Sequence, residues 1–133
     1  MGWYMLTSFK SVFLGSLVAA AAFVGLHSHV ESAELIMMEQ DACPWCERWH
    51  EEIGAIYNKT TEGKIAPLRV VDIHGDIPED LKDIRIERFT PTFVLIEDGK
   101  EIDRLRGYTG DEFFWFLIGE MIKKLPKTSA SQG

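Results

Sequence analysis

At 133 residues the chain has room for one small domain, and 46% hydrophobic with 11% aromatic residues is enough to bury a core, which excludes a disordered chain. Its net charge of −7 argues against nucleic acid and anionic membrane surfaces as partners. Two cysteines are too few for a disulfide scaffold, so their spacing means more than their number.

Residues 1–33 read as a targeting segment rather than as part of the fold. Lys10 precedes a 15-residue apolar stretch, Val12 to Leu26, shorter than the roughly 20 residues of a spanning helix and matched to a signal-peptide core. Val30 and Ser32 suit the small-residue rule for cleavage before Ala33, with Glu34 as the next choice. An uncleaved N-terminal anchor is the alternative, and either way the domain is exported. Lys10 and Glu31 are the only charged residues of this segment and cancel, so the acidity belongs to the domain.

Glu34–Glu39 is a short, nearly continuous apolar run, the pattern of a buried strand. A helix follows, in which Trp45, Trp49, Ile53 and Ile56 recur at intervals of four and three and mark one buried stripe. It should end near Asn58, because 59–64 is polar and looks like a loop. Gly54 weakens that helix by up to about 1 kcal/mol relative to alanine. Pro67–Ile73 has strand composition, and Asp76, Pro78 and Glu79 signal a short helix to about Ile84. Thr92–Ile96 and Glu101–Arg106 form a hairpin through Asp98-Gly99. Thr109-Gly110-Asp111-Glu112 has capping-box form and opens a helix to about Lys124. Residues 126–133 read as a disordered tail. The order is βαβαββα, one 34–125 domain of α/β class.

The chemistry concentrates in Cys43-Pro44-Trp45-Cys46, at the junction of the first strand and its helix. Thiols separated by two residues close a disulfide where the chain turns, and the first turn of a helix supplies that turn. A helix N-terminus holds partial positive charge and unpaired N–H groups, so a Cys43 thiolate there should titrate below a free thiol. Pro44 falls at the first helical position, where its missing N–H costs little. Cys46, one turn along, is placed to attack a mixed disulfide at Cys43. A purely structural bridge over so short a loop removes little chain entropy. His50, four residues after Cys46, opens two alternatives: a proton acceptor for Cys46, or the third ligand of a Cys-Cys-His metal site. The latter falls short of the four ligands of a closed zinc site. Trp45 should face solvent and Trp49 the core.

The strand order with Cys-x-x-Cys opening the first helix resembles the thioredoxin superfamily. Thr90-Pro91-Thr92 before the third strand resembles its cis-proline loop, and Gly107 its usual glycine. Cys-Pro-Trp-Cys, the export signal and the brevity look most like the SoxS-type periplasmic thioredoxins. The resemblance implies a minimal thioredoxin fold with a central mixed four-stranded sheet flanked by helices. It also implies a cis Pro91 beside Cys43 and a Thr90 backbone that pairs with a protein substrate, with Trp45 in the docking surface. The implied activity is thiol–disulfide exchange in the periplasm, with Cys43 as the exposed nucleophile, Cys46 as the resolving thiol, and Pro44 and His50 in support. A sulfur-oxidation carrier is a candidate partner, a membrane thiol transporter the electron donor, and no cofactor or metal is required. Alternatives are a periplasmic disulfide oxidant, a metal-binding chaperone using Cys43, Cys46 and His50, and a redox-responsive binding module. Two departures stand out: Met37 occupies the place of the family's buried acid, and Ala42 and Trp45 stand where it commonly has tryptophan and proline.

Three further expectations concern the surface. Phe113, Trp115 and Phe116 exceed what one helical stripe can bury and either cover a sheet edge or meet a partner. Glu79, Asp80, Asp83 and Glu87 read as a solvated acidic face, and His74 has no spacing relation to the cysteines.

Overall fold

The computed structural model describes residues 33–126; the leader and most of the tail lie outside it. Four strands, β1 (Ala33–Glu39), β2 (Leu68–Asp72), β3 (Thr92–Glu97) and β4 (Lys100–Arg106), form one sheet in the order β2-β1-β3-β4. β1 runs parallel to β2 and antiparallel to β3, and β3 pairs antiparallel with β4. The expected α/β fold with a mixed four-stranded sheet is present.

β1 and β3 are central and covered on both faces, which is why their sequences are nearly unbroken apolar runs. Leu35, Met37, Phe93 and Leu95 point to the face packed by α1 (Pro44–Trp49) and α3 (Asp111–Ile122). Ile36, Met38, Val94 and Ile96 point to the other, closed by Val71, Leu81 and Ile84. An aromatic cluster occupies the first core. Trp49 lies 5.3 Å from Phe93 and 5.6 Å from Phe114, and Tyr57 stacks on Trp115 at 6.0 Å.

The hairpin follows its sequence signal. Asp98 and Gly99 both take positive φ, 50° and 73°, as a two-residue type I′ turn requires, between paired Glu97 and Lys100.

The first helix departs from expectation. α1 ends at Trp49 and passes into a π-helical turn, His50–Gly54, then a 3₁₀ turn, Tyr57–Lys59. The wider turn shifts the phase: Trp49 and Ile53 are buried, but Ile56 is 47% exposed and Tyr57 takes the inward place. The supposed loop at 59–64 contains a second helix, α2 (Thr61–Ile65), with Thr60 as its cap accepting from Gly63 N at 3.1 Å. The helix expected over 78–84 is only a 3₁₀ turn, Glu79–Leu81. Thr109 does not cap α3: the cap is Gly110, at φ 120°, and no side chain bonds to it.

Two surface expectations also change. Trp115 packs on Tyr57, whereas Phe113 and Phe116 stay exposed rather than covering a sheet edge. Glu87 is not on a solvated acidic face, because Arg85, Arg104 and Arg106 converge on its carboxylate. Asp80 pairs with Arg69 at 2.7 Å.

Candidate active site

The loop from β1 enters α1 through Ala42, whose φ of 56° is unusual for a residue with a Cβ. Cys43 then takes an extended N-cap conformation, φ −101° and ψ 96°, with Pro44 in the first turn as expected. The Cys43 carbonyl accepts from Cys46 N at 3.0 Å and Glu47 N at 3.1 Å. Cys46 N also points at Cys43 Sγ, 3.2 Å away. Cys43 and Cys46 are joined as a disulfide, with their Cα atoms 5.3 Å apart.

The two sulfurs are not equivalent. Cys43 Sγ receives a helix N-terminal N–H, and no comparable donor reaches Cys46 Sγ among the described residues. That N–H favours negative charge on Cys43 once the bridge opens. Cys43 is, however, only 5% exposed and Cys46 3%. The exposure expected of Cys43 is absent from this oxidised form, because the bridge is tucked into the core cluster with Trp49 and Met37. Beside the buried bridge, Pro44 and Trp45 form an exposed lip.

A groove runs beside this lip, lined by Trp45, Arg48, Phe89, Thr90, Arg106 and Tyr108, among others. The Thr90–Pro91 peptide is cis, as the resemblance implied. Gly107 N donates to the Pro91 carbonyl at 2.7 Å. At φ 85° Gly107 sits where an added Cβ would come within 3.3 Å of the Phe89 ring, so glycine lets the two loops close together. Trp45 is 53% exposed and Phe89 59%, giving the groove two aromatic walls.

Sequence reasoning missed the polar frame of this groove. The Arg48 guanidinium lies over Trp45 at 5.9 Å and bonds Glu52 at 2.8 Å. Tyr108, 4% exposed, donates its hydroxyl to Glu52 at 2.5 Å. The Tyr108 bond and then Arg48 hold the Glu52 carboxyl below its ordinary range, while burial and Glu52 push the Tyr108 phenol up. Only the arginine four residues before Glu52 was a visible signal; Tyr108 comes from beyond β4.

His50 does not join the cysteines. Its Nε2 lies 2.5 Å from Glu39 Oε2, and Trp49 meets its ring edge-on. Among the described residues no group of three or more His, Cys, Asp or Glu side chains is arranged to hold a metal ion, and in this oxidised form Cys43 and Cys46 are bonded to each other. Met37, at the family's acid position, is fully buried. Glu39 is the carboxylate two residues along β1, on the same face as Met37.

A family model described as a thioredoxin-like domain matches residues 28–121. The chain belongs to the thioredoxin-like family. Among solved structures, reduced periplasmic thioredoxin SoxS from Paracoccus pantotrophus is 38% identical, with a TM-score of 0.66 over 70% of this chain and 98% of its own. A thioredoxin from Malassezia sympodialis, Mala s 13, is 22% identical, with a TM-score of 0.51 over 68% of this chain and 76% of its own; this likeness shows the fold alone. No curated protein matches the chain. The SoxS likeness and the Cys43–Cys46 bridge make the chain a SoxS-type thioredoxin and a thiol–disulfide oxidoreductase. Proteins of this kind act on protein disulfides.

Proposed function

We propose that the protein is an exported reductant of disulfides in a periplasmic partner protein. The observation that carries the exchange step is the Cys43–Cys46 disulfide at the start of α1, with an N–H at Cys43 Sγ that favours Cys43 as the thiolate; the direction of transfer rests on Pro44. In the reduced protein the Cys43 thiolate attacks one sulfur of the partner's disulfide and expels the other as a thiolate, which takes a proton. The Cys46 thiol loses its proton, attacks Cys43 Sγ and releases the second partner sulfur. Two electrons pass to the partner, which leaves as a dithiol, and the Cys43–Cys46 bridge of the present structure results. Pro44 withholds one N–H that would further stabilise the Cys43 thiolate, which favours electron donation over disulfide donation. Trp45, Thr90 and Pro91 form the docking surface.

Export is supported by the apolar stretch 12–26 and by the periplasmic setting of the SoxS relative. Ala33 is buried in β1, paired with Glu97, which favours cleavage before Ala33 over cleavage before Glu34. A membrane thiol donor returns the electrons, and a sulfur-oxidation carrier is the partner class the SoxS likeness suggests. The test is disulfide trapping. Cys46→Ser should accumulate a mixed disulfide with the partner through Cys43, visible by mass spectrometry, and Cys43→Ser should give none. Trapping through Cys46 instead would reverse the two roles.

A further inference from the structure

The cis-proline loop is also held by residues remote in sequence that do not line the aromatic groove. Gln40, in the loop between β1 and α1, bonds the Thr90 hydroxyl through Nε2 at 2.9 Å. Its Oε1 lies 2.9 Å from His74 Nε2, beyond the end of β2. His74 is fixed in turn, its backbone N–H donating to Asp72 Oδ1 at 2.9 Å. As placed, the Gln40 NH₂ donates to the Thr90 hydroxyl and its carbonyl oxygen faces His74 Nε2, a hydrogen bond in the tautomer that carries its proton on Nε2.

The backbone around Thr90 makes this chain consequential. The Phe89 carbonyl accepts from the Thr92 hydroxyl at 2.6 Å, and the Pro91 carbonyl is taken by Gly107. Pro91 has no N–H. The N–H and C=O of Thr90 itself pair with nothing among the described residues. Thr90 is thus an open ladder position between two engaged neighbours, on the wall of the groove beside Trp45. An open N–H and C=O on one residue suit an extended polypeptide and give nothing to a small disulfide without a backbone. Rotation of Thr90 would spoil that pairing, and its side chain is the handle that Gln40 holds.

We infer that Gln40, braced by His74, is a positioning residue that fixes Thr90 for backbone pairing and so sets a preference for disulfides in extended polypeptides over small ones. The inference rests on the exchange activity proposed above and concerns substrate engagement only. Gln40 and His74 act through Thr90 and exchange no electrons or protons with the sulfurs.

The test compares two substrates under dithiothreitol recycling. One is a pair of ten-residue peptides joined by a disulfide between central cysteines; the other is 2-hydroxyethyl disulfide. Gln40→Leu should raise KM for the peptide substrate about fivefold, the equivalent of one lost hydrogen bond. Its kcat, and the rate on the small disulfide, should stay within about twofold. His74→Leu, which leaves the Gln40–Thr90 bond but loosens it, should shift the peptide KM in the same direction by less. An unchanged peptide KM in Gln40→Leu, with the fold intact by circular dichroism, would overturn the inference. So would equal slowing on both substrates, which would place the effect on the cysteines. A wild-type protein that turned over neither substrate would overturn the exchange activity itself.

Discussion

Replacing Gly63 by alanine sets helix propensity against close packing, and the two give opposite signs. Gly63 lies within α2, where alanine should stabilise by up to about 1 kcal/mol. An added Cβ, however, would sit 2.0 Å from the Tyr57 carbonyl oxygen and 2.7 Å from Asn58 Cα. Both are backbone atoms, so no side-chain rotation relieves the clash. The Tyr57 carbonyl accepts from Thr60 N at 3.0 Å and from Thr60 Oγ1 at 2.7 Å, and Thr60 Oγ1 accepts from Gly63 N at 3.1 Å to cap α2. Displacing the carbonyl breaks this set of three, worth about 1 kcal/mol each. Set against the propensity gain, the net loss is about 2 kcal/mol, or roughly 8–16 °C in Tm for a domain of this size. Gly119, in the middle of α3, is the matched control: an added Cβ there meets nothing within 4 Å. Gly119→Ala should gain about 0.5–1 kcal/mol from propensity alone. Urea and thermal unfolding of the two oxidised variants, followed by circular dichroism, read the difference directly. A Gly63→Ala protein as stable as wild type, or more so, would refute the close approach of α2 to Tyr57.

Two further outcomes follow from the surface networks. The Arg106 hydrogen bond, with the charges of Arg106, Arg85 and Arg104, holds the Glu87 carboxyl below its ordinary value of 4.5. The unfolded chain therefore binds more protons in that range, so Glu87 contributes stability above about pH 4.5 that is lost as pH falls through its lower folded value. Glu87→Gln should lower the urea midpoint at pH 7 and flatten its decline between pH 5 and 3, and an unchanged acid slope would contradict the assignment. Within the π-turn, a Cβ on Gly54 would come 3.2 Å from His50 Nδ1. Gly54→Ala should therefore gain less stability in wild type than in a His50→Ala background, where up to about 1 kcal/mol of propensity is released. Equal effects in the two backgrounds, by urea titration, would show that the imidazole does not limit residue 54.

What the sequence disclosed was local. The apolar run of β1, Asp98-Gly99, Pro91 and the cysteines at a helix start each carry their geometry in a few adjacent residues, and each appears where expected. What it hid depends on phase or on distant partners. One π-turn at His50 rotates Ile56 outward and Tyr57 inward, and no residue type announces it. The polar stretch 59–64 conceals α2, whose glycine is explained only by the Tyr57 carbonyl. Thr109 has the composition of a cap, but Gly110 has the backbone of one. At the site, the Cys43–Cys46 bridge, the cis Thr90–Pro91 peptide and the exposure of Trp45 were legible from motif and family pattern. The contacts of Gln40, His74 and Tyr108 were not, because they span 34, 50 and 56 residues of chain.

The reduction potential of the Cys43–Cys46 couple tests the central claim most directly. Trp49 is buried in the same core cluster as the bridge, and Trp45 lies between the cysteines, so indole fluorescence in thiol redox buffers should report the transition. A reversible two-electron transition closer to the roughly −270 mV of thioredoxin is expected, which makes the protein a reductant in need of an electron supply. A value near the roughly −120 mV of a periplasmic oxidant would contradict the direction of transfer proposed here.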